Sequence, residues 1–327
     1  MKYTKFANTD MMVSKVCLGC LGLSDPNCGT KVWAVGYEKS KEIVQAALEK
    51  GINFFDTAMA YQKGTSEEYL GRIFKELGCR DKVFIQTKYT PRNEEQRKTY
   101  TIEQWINKCL EDSLARLQTD YVDIYIMHMW DYHTPIAETM EALNKLVKAG
   151  KIRHLGVSNA YAWQVAKANE YARLNNLAQF EEVQGHYSLI FREEEREMNP
   201  YCNEHMVATT PYSPLAGGRL SRKPGESTNR LETDAFSKKK YDATSDEDQP
   251  IILRVNEIAQ KKGVSMTSVS IAWLMRKVTA PICGVTKVEQ LDAFVEASEL
   301  ELSDEEMTYL EELYVPHKLV GAILDRK

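Results

Sequence analysis

The stretch Gly51-Ile52-Asn53-Phe54-Phe55-Asp56-Thr57-Ala58 is apolar for the length of one β-strand and stops at a carboxylate. An amphipathic segment of helix length, Ser40 to Lys50, precedes it, and another, Ser66 to Leu77, follows. The same alternation recurs along the chain, the pattern of βα units around a parallel sheet. Strands are expected at Val16 to Cys20, Asn53 to Asp56, Val83 to Thr87, Asp123 to Met127, Ile152 to Ser158, Glu182 to Gly185, Met206 to Pro211 and Ala280 to Gly284. Further helices are expected at Thr101 to Leu117, Ile136 to Ala149, Tyr161 to Asn175, Glu193 to His205 and Val288 to Ser298. Eight such units imply an α/β fold, a (β/α)8 TIM barrel, with residues 1–327 as one domain. Two pieces stand outside the repeat. Tyr3 to Val16 reads as an N-terminal β-hairpin turning at Asn8-Thr9-Asp10 and capping the barrel bottom, and Gly217 to Pro250 as a long polar loop after strand seven. Connections of that length are usually functional, whereas the Lys238-Lys239-Lys240 run within it reads as a solvated patch.

Composition narrows the function classes. Hydrophobic residues make up 43% and charged residues 27% of the chain, as in ordinary globular proteins. A net charge of -5 supplies no positive field, so nucleic acid is not expected as a partner. Apolar runs such as Val16 to Leu23 are too short to cross a bilayer, and Met1-Lys2-Tyr3-Thr4-Lys5 starts no signal peptide. No membrane partner and a cytoplasmic location are therefore expected. The seven cysteines, odd in number and irregular in spacing, suit reduced thiols. Cys17 and Cys20 lie inside the first expected strand and read as small buried hydrophobes rather than a redox or zinc pair.

In such a barrel the active site is assembled at the C-terminal ends of the strands. Asp56 ends strand two, Tyr61 follows in the next loop, Lys88 ends strand three and His128 ends strand four. Delivering hydride to a carbonyl requires a proton for the developing alkoxide, and an ordinary phenol, with its pKa near 10, is a reluctant donor and acceptor. A lysine charge beside the phenol favours phenolate and would lower its pKa, while a carboxylate keeps the lysine charged. Lys88, Tyr61 and Asp56 have that chemistry, and a histidine on the adjacent strand end can orient the substrate oxygen. Singly, each has a structural reading: an ion pair, a half-buried aromatic, a core histidine. Jointly they read as a catalytic group. His128, Asp131 and His133 also spell a metal-type cluster, but the lysine-tyrosine pair already supplies the electrophilic help of a metal, so none is expected.

Asp56-Thr57-Ala58 with Tyr61 and Gly64, Thr87-Lys88, and His128 with Asp131 resemble the signature of the aldo-keto reductases. The resemblance continues through Gly156-Val157-Ser158-Asn159, Gln184, Pro211-Tyr212-Ser213-Pro214-Leu215-Ala216-Gly217-Gly218 and Gly284-Val285-Thr286-Lys287. It implies a nicotinamide cofactor, NADPH, and a small carbonyl substrate. It further implies Tyr61 as proton donor, Lys88 and Asp56 as its tuning pair, and His128 as substrate orienter. Ser158, Asn159 and Gln184 would bind the carboxamide, and Tyr212 would stack on the nicotinamide. Ser213, Leu215 and Gly217 would meet the pyrophosphate, while Thr286, Lys287 and Gln290 would surround the 2′-phosphate. Ala293 and Phe294 stand where many members carry Glu-Asn for the adenine, and Cys283 where proline is common. The residues agree in part: no Gly-x-Gly-x-x-Gly marks a Rossmann domain, and loops after strands seven and eight are phosphate sites in barrels.

His128 to Ile136, Phe191 to Met198 and the tail Pro316 to Gly321 are most similar to the bacterial 1-deoxyxylulose-5-phosphate synthase-like branch. Two alternatives follow from resemblance: an enzyme of deoxyxylulose phosphate metabolism, or an NADPH-binding redox sensor like potassium-channel β subunits. Trp33 and Trp130 suggest an apolar pocket wall, while Arg92, Arg192 and Arg219 leave room for an anionic substrate.

Overall fold

The computed structural model of the chain describes residues 1–227 and 229–320. Two short strands, β1 (Tyr3–Lys5) and β2 (Met12–Ser14), form the expected antiparallel hairpin, with Tyr3 opposite Ser14. Eight parallel strands follow: β3 (Cys17–Gly19), β4 (Phe54–Asp56), β5 (Phe84–Tyr89), β6 (Val122–Met127), β7 (Ile152–Ser158), β8 (Phe180–Gln184), β9 (Ala208–Thr209) and β10 (Ile282–Gly284). From β3 to β9 each pairs with the next in chain order, and β10 pairs with β3. The Ile282 amide donates to the Pro211 carbonyl at 2.9 Å, which joins the rim beyond β9 to β10 and closes the barrel.

Helices cover the outside: α1 (Gly36–Glu49), α2 (Thr65–Leu77), α3 (Glu94–Thr99), α4 (Ile102–Leu117), α5 (Ile136–Lys148), α6 (Ala162–Leu174) and α7 (Met198–His205). Local chemistry sets several ends. At the start of α4, the Thr101 side chain accepts from the Gln104 amide and Gln104 reaches back to the Thr101 amide, a capping box. α2 ends at Gly78, left-handed with φ 57°.

The connection after β9 is long, as expected, and carries helices of its own: α8 (Asn229–Thr233), α9 (Ala235–Tyr241) and the start of α10 (Ser245–Lys262), which runs through Pro250. Its lysine run divides: Lys238 and Lys239 are exposed, but Lys240 is only 5% exposed. The reading of all three as solvated is corrected there, because α9 turns Lys240 inward against the barrel mouth. Three more helices complete the chain, α11 (Met266–Met275), α12 (Gln290–Glu299) and α13 (Asp304–Glu311).

Strand alternation divides the side chains. Outward residues such as Phe55, edge-on to Phe74 of α2 at 5.0 Å, build the main core between sheet and helices. Inward residues close the bottom: Cys17, Phe54, Ile124, Ile126, Ala208 and Ile282 pack with Phe6, Met11 and Val13 of the hairpin, which caps that end. No helix among the described residues is long and apolar enough to cross a membrane.

Candidate active site

The period of two that sends Phe55 outward sends Phe54 and Asp56 inward. On β5, Thr87 bonds Glu67 of α2 and Tyr89 stacks on Tyr125, so Gln86 and Lys88 face the interior. His128 continues the inward phase of Ile124 and Ile126, and Ser158 and Gln184 end β7 and β8. The expected site residues Asp56, Lys88, Ser158 and Gln184 are therefore the uppermost inward positions of their strands, with His128 just beyond β6.

At their centre Lys88 and Asp56 are almost wholly buried. Lys88 Nζ donates to Asp56 Oδ1 at 2.5 Å, to the Thr57 carbonyl at 2.7 Å and to the Tyr61 hydroxyl at 3.2 Å. Asp56 Oδ1 also accepts from Gln86 Nε2 at 2.8 Å and Gln184 Nε2 at 3.2 Å. Burial pulls the Lys88 pKa down, but the charge of Asp56 and contact with Tyr61 prevail and hold it above the ordinary value. Tyr61 is half-buried, with its hydroxyl 3.4 Å from Asp56 Oδ2. Its phenol is pushed up to about 12, first by burial and then by the Asp56 charge, with Lys88 opposing. The expectation of a lowered value is thus corrected: desolvation and the carboxylate outweigh the single ammonium. His128 stands edge-on to Tyr61, ring centroids 6.0 Å apart, and burial and then Lys88 push it down to about 3, so the ring is neutral.

The expected carboxamide group adjoins this cluster. Ser158 Oγ donates to the Gln184 carbonyl at 2.8 Å. Asn159, left-handed at φ 55°, donates through Nδ2 to Ser158 Oγ and the His128 carbonyl and accepts from the Tyr212 hydroxyl at 2.8 Å. Tyr212 lies parallel to His186, 5.4 Å away, and His186 in turn to Phe191 at 3.9 Å. His186 thus backs the Tyr212 ring.

Beyond Tyr212 the backbone is left-handed at Ser213, Ala216, Gly217 and Gly218, with φ of 59°, 48°, 69° and 104°. Left-handed backbone can turn N–H groups toward one side as an anion-binding nest; the Ala216 and Gly218 amides donate to the Ser213 and Leu215 carbonyls at 2.9 and 2.7 Å, so a nest here would use the neighbouring Leu215 and Gly217 amides. That cradle, adjoining Tyr212 and Asn159, fits a pyrophosphate-bearing dinucleotide. Thr286, Lys287 and Gln290 gather separately at the start of α12, where Gln290 Oε1 accepts from the Thr286 and Lys287 amides at 2.8 and 3.1 Å. Among the described residues no hydrogen bond joins them to the tetrad.

Other expectations are corrected by pairing. Arg192 pairs with Glu195 and Glu311 and Arg219 pairs with Asp242, so neither offers a free cation, whereas Arg92 donates to the Tyr100 carbonyl and Thr134 and forms no ion pair among the described residues. Asp131 caps its own turn through the His133 amide and Thr134, His133 is exposed, and among the described residues no three His, Cys, Asp or Glu gather as a metal site.

Sequence reasoning missed Gln62. Left-handed at φ 46° directly after Tyr61, its side chain donates to the Asp25 carbonyl at 2.9 Å and accepts from the Lys31 amide at 3.0 Å. It thereby seats the loop after β3, whose Lys31 reaches Asp234 at 3.6 Å.

The family model of the aldo/keto reductases matches residues 15–315. An aldo-keto reductase of Fusarium vanettenii is 37% identical over 345 residues, covering 98% of this chain and 92% of that protein. The versiconal hemiacetal acetate reductase of Aspergillus parasiticus is 37% identical, covering 97% of this chain and 98% of that protein. A putative aryl-alcohol dehydrogenase of Schizosaccharomyces pombe is 33% identical, covering 98% of each. Likeness of that extent, over a closed parallel barrel of the expected kind, makes the chain a member of the aldo/keto reductase family.

Proposed function

We propose that the protein, acting as one barrel domain, is an NADPH-dependent oxidoreductase that reduces aldehyde or ketone carbonyls to alcohols, with Tyr61 as proton donor. One observation carries the reading: a buried lysine ammonium lies between a carboxylate and the hydroxyl of a tyrosine at the catalytic end of the barrel. The cofactor, when bound, supplies the hydride. Tyr61 holds its proton at neutral pH and gives it to the carbonyl oxygen, and Lys88 Nζ, 3.2 Å from the hydroxyl, stabilises the phenolate left behind. Asp56 keeps that ammonium charged and fixed. His128, being neutral, has one ring nitrogen to donate and one to accept, which suits it to orienting the carbonyl oxygen without competing as an acid. Ser158, Asn159, Gln184 and Tyr212 hold the nicotinamide end, and Ser213, Leu215 and Gly217 the pyrophosphate. Thr286, exposed Lys287 and Gln290 hold the 2′-phosphate that distinguishes NADPH from NADH.

Relatives named as aryl-alcohol dehydrogenases, together with Trp33, Trp130 and Tyr132 in the loops of the catalytic face, support aromatic aldehydes as substrates. Two of the three stretches that suggest the deoxyxylulose phosphate branch have scaffold duties instead. Arg192 clamps Glu195 and Glu311, and His317 bonds Asp248 at 2.8 Å; Gly321 lies outside the described residues.

Tyr61→Phe removes one hydroxyl and keeps the ring. General acid catalysis is worth about 10² to 10⁴ in rate, so kcat should fall by that factor while fluorescence titration shows NADPH binding intact. The same titration should favour NADPH over NADH, with the gap narrowed in Lys287→Ala. A Tyr61→Phe enzyme that binds NADPH and reduces its best aldehyde at the wild-type rate would refute the assignment.

A further inference from the structure

Lys240 is a buried amine with no ion-pair partner among the described residues. It lies near the end of α9, 5% exposed. Its Nζ reaches Ser213 Oγ at 3.4 Å and lies 4.9, 5.3 and 5.6 Å from the ring centroids of Tyr212, Tyr241 and Phe236. Cation–π contacts contribute only about 0.5–2 kcal/mol each, whereas desolvating an ammonium costs several. An aromatic box alone does not account for keeping a lysine there.

The helix that carries Lys240 is fastened to the left-handed backbone after β9. Arg219 donates to both the Ala216 carbonyl and Ser237 Oγ of α9, at 3.2 and 3.0 Å. A Cβ on Gly217 would fall 2.1 Å from Ser237 Oγ, so glycine is required both by that approach and by its φ of 69°. The amine is thereby held beside the left-handed loop of residues 213–218, with the Ser213 hydroxyl between them.

We propose that Lys240 is the cationic contact for the pyrophosphate of the bound dinucleotide, completing a cradle with Ser213 and the backbone of residues 213–218. The proposal rests on the dinucleotide reading above, which sets the nicotinamide at Tyr212 and the 2′-phosphate at Lys287 and so leaves this surface to the middle of the molecule. The anion stabilises the ammonium, and the ammonium takes up its proton as the anion arrives. Burial pushes the free amine down to about 7, with Asp234 opposing. The other titratable groups facing it are Tyr241 on its own helix, Tyr212, the His186 ring that burial holds neutral, and Lys31, which is paired with Asp234. Below about pH 7 the amine already carries its proton. Above it, binding must recruit one, so affinity falls as pH rises.

The test is a fluorescence titration of wild type, Lys240→Met and Lys240→Arg with NADPH, and with inorganic pyrophosphate as competitor, between pH 6.5 and 9, after circular dichroism has checked folding. Loss of one charge-assisted contact should weaken NADPH and pyrophosphate alike by about 10- to 100-fold in Lys240→Met. Lys240→Arg should recover most of it. Wild-type affinity should decline above pH 7, and that slope should vanish in Lys240→Met. Unchanged NADPH and pyrophosphate affinity in Lys240→Met would overturn the proposal and leave the dinucleotide reading standing. So would a variant whose only defect is a raised KM for 4-carboxybenzaldehyde against benzaldehyde, since the anion would then be the substrate's. Wild-type protein that binds pyrophosphate through Lys240 but no dinucleotide would sink both.

Discussion

A phenol raised to about 12 beside a fixed ammonium stays protonated across the physiological range and can always serve as an acid. Carbonyl reduction should therefore show a flat kcat from about pH 6 to 9, whereas alcohol oxidation, which needs the proton gone, should climb about tenfold per pH unit. With His128 held near 3, no limb belongs between pH 6 and 7. A limb there that disappears in His128→Gln would mean that the histidine titrates during turnover. That Asp56, Tyr61, Lys88 and His128 come together was legible in the sequence, because strand alternation and the C-terminal end of the barrel dictate where such residues stand. The sign of the tyrosine shift was not, because it depends on how much solvent Tyr61 loses and how near Asp56 comes. Lys240 was illegible for a related reason: its neighbours Lys238 and Lys239 look identical in sequence, and only the facing of α9 separates one buried amine from two exposed ones.

Strand β8 carries a second inward carboxyl, Glu182, beneath Gln184. It accepts a hydrogen bond from Thr210 through Oε1, while Oε2 is buried without a partner. Gly156 of β7 leaves it room: a Cβ there would stand 2.6 Å from Oε2. Burial pushes this carboxyl up to about 8. The folded protein thus keeps a proton that the unfolded chain has lost above the ordinary glutamate range, and stability falls as pH rises from about 4.5 to 8. Glu182→Gln should match wild type in Tm near pH 5 and exceed it by several degrees near pH 8.5; equal Tm values at both pH values would show that the carboxyl is not protonated in the fold. Elements themselves were legible unevenly. The hairpin and the strands through β8 fall near their expected places, because their apolar runs are bounded by turn residues. β9 shrinks to two residues, since Met206 is left-handed at φ 55° and caps α7. α11 escaped notice because it is buried on nearly every side and so lacks the one-sided apolar stripe that betrays a helix.

For the molecule as a whole, the barrel supplies a rigid rim and the loops supply the mouth. Trp33 and Tyr132 stand in loops of that face, and two of the three arginines that could have drawn an anion are paired, Arg192 with Glu195 and Glu311 and Arg219 with Asp242. A panel of carbonyls followed by NADPH oxidation should therefore rank neutral aromatic aldehydes above phosphorylated and free sugars. Preference for a phosphorylated substrate that is lost in Arg92→Ala or Arg219→Ala would reverse that order. The family's fold was readable from the recurrence of βα units; the allegiance of each arginine was not, since its partners lie up to 119 residues away in sequence.

The seat that Gln62 makes for the loop after β3 has an evolutionary consequence. The residue next to Tyr61 also fastens the loop after β3, and Gly29 lies so close that a Cβ there would fall 2.2 Å from Gln62 Oε1. Insertions within residues 25–31 cannot retune selectivity without disturbing the pose of Tyr61. Descendants of this chain that acquire new substrates are therefore channelled toward changes outside that seat, and homologues that differ in specificity should vary there first.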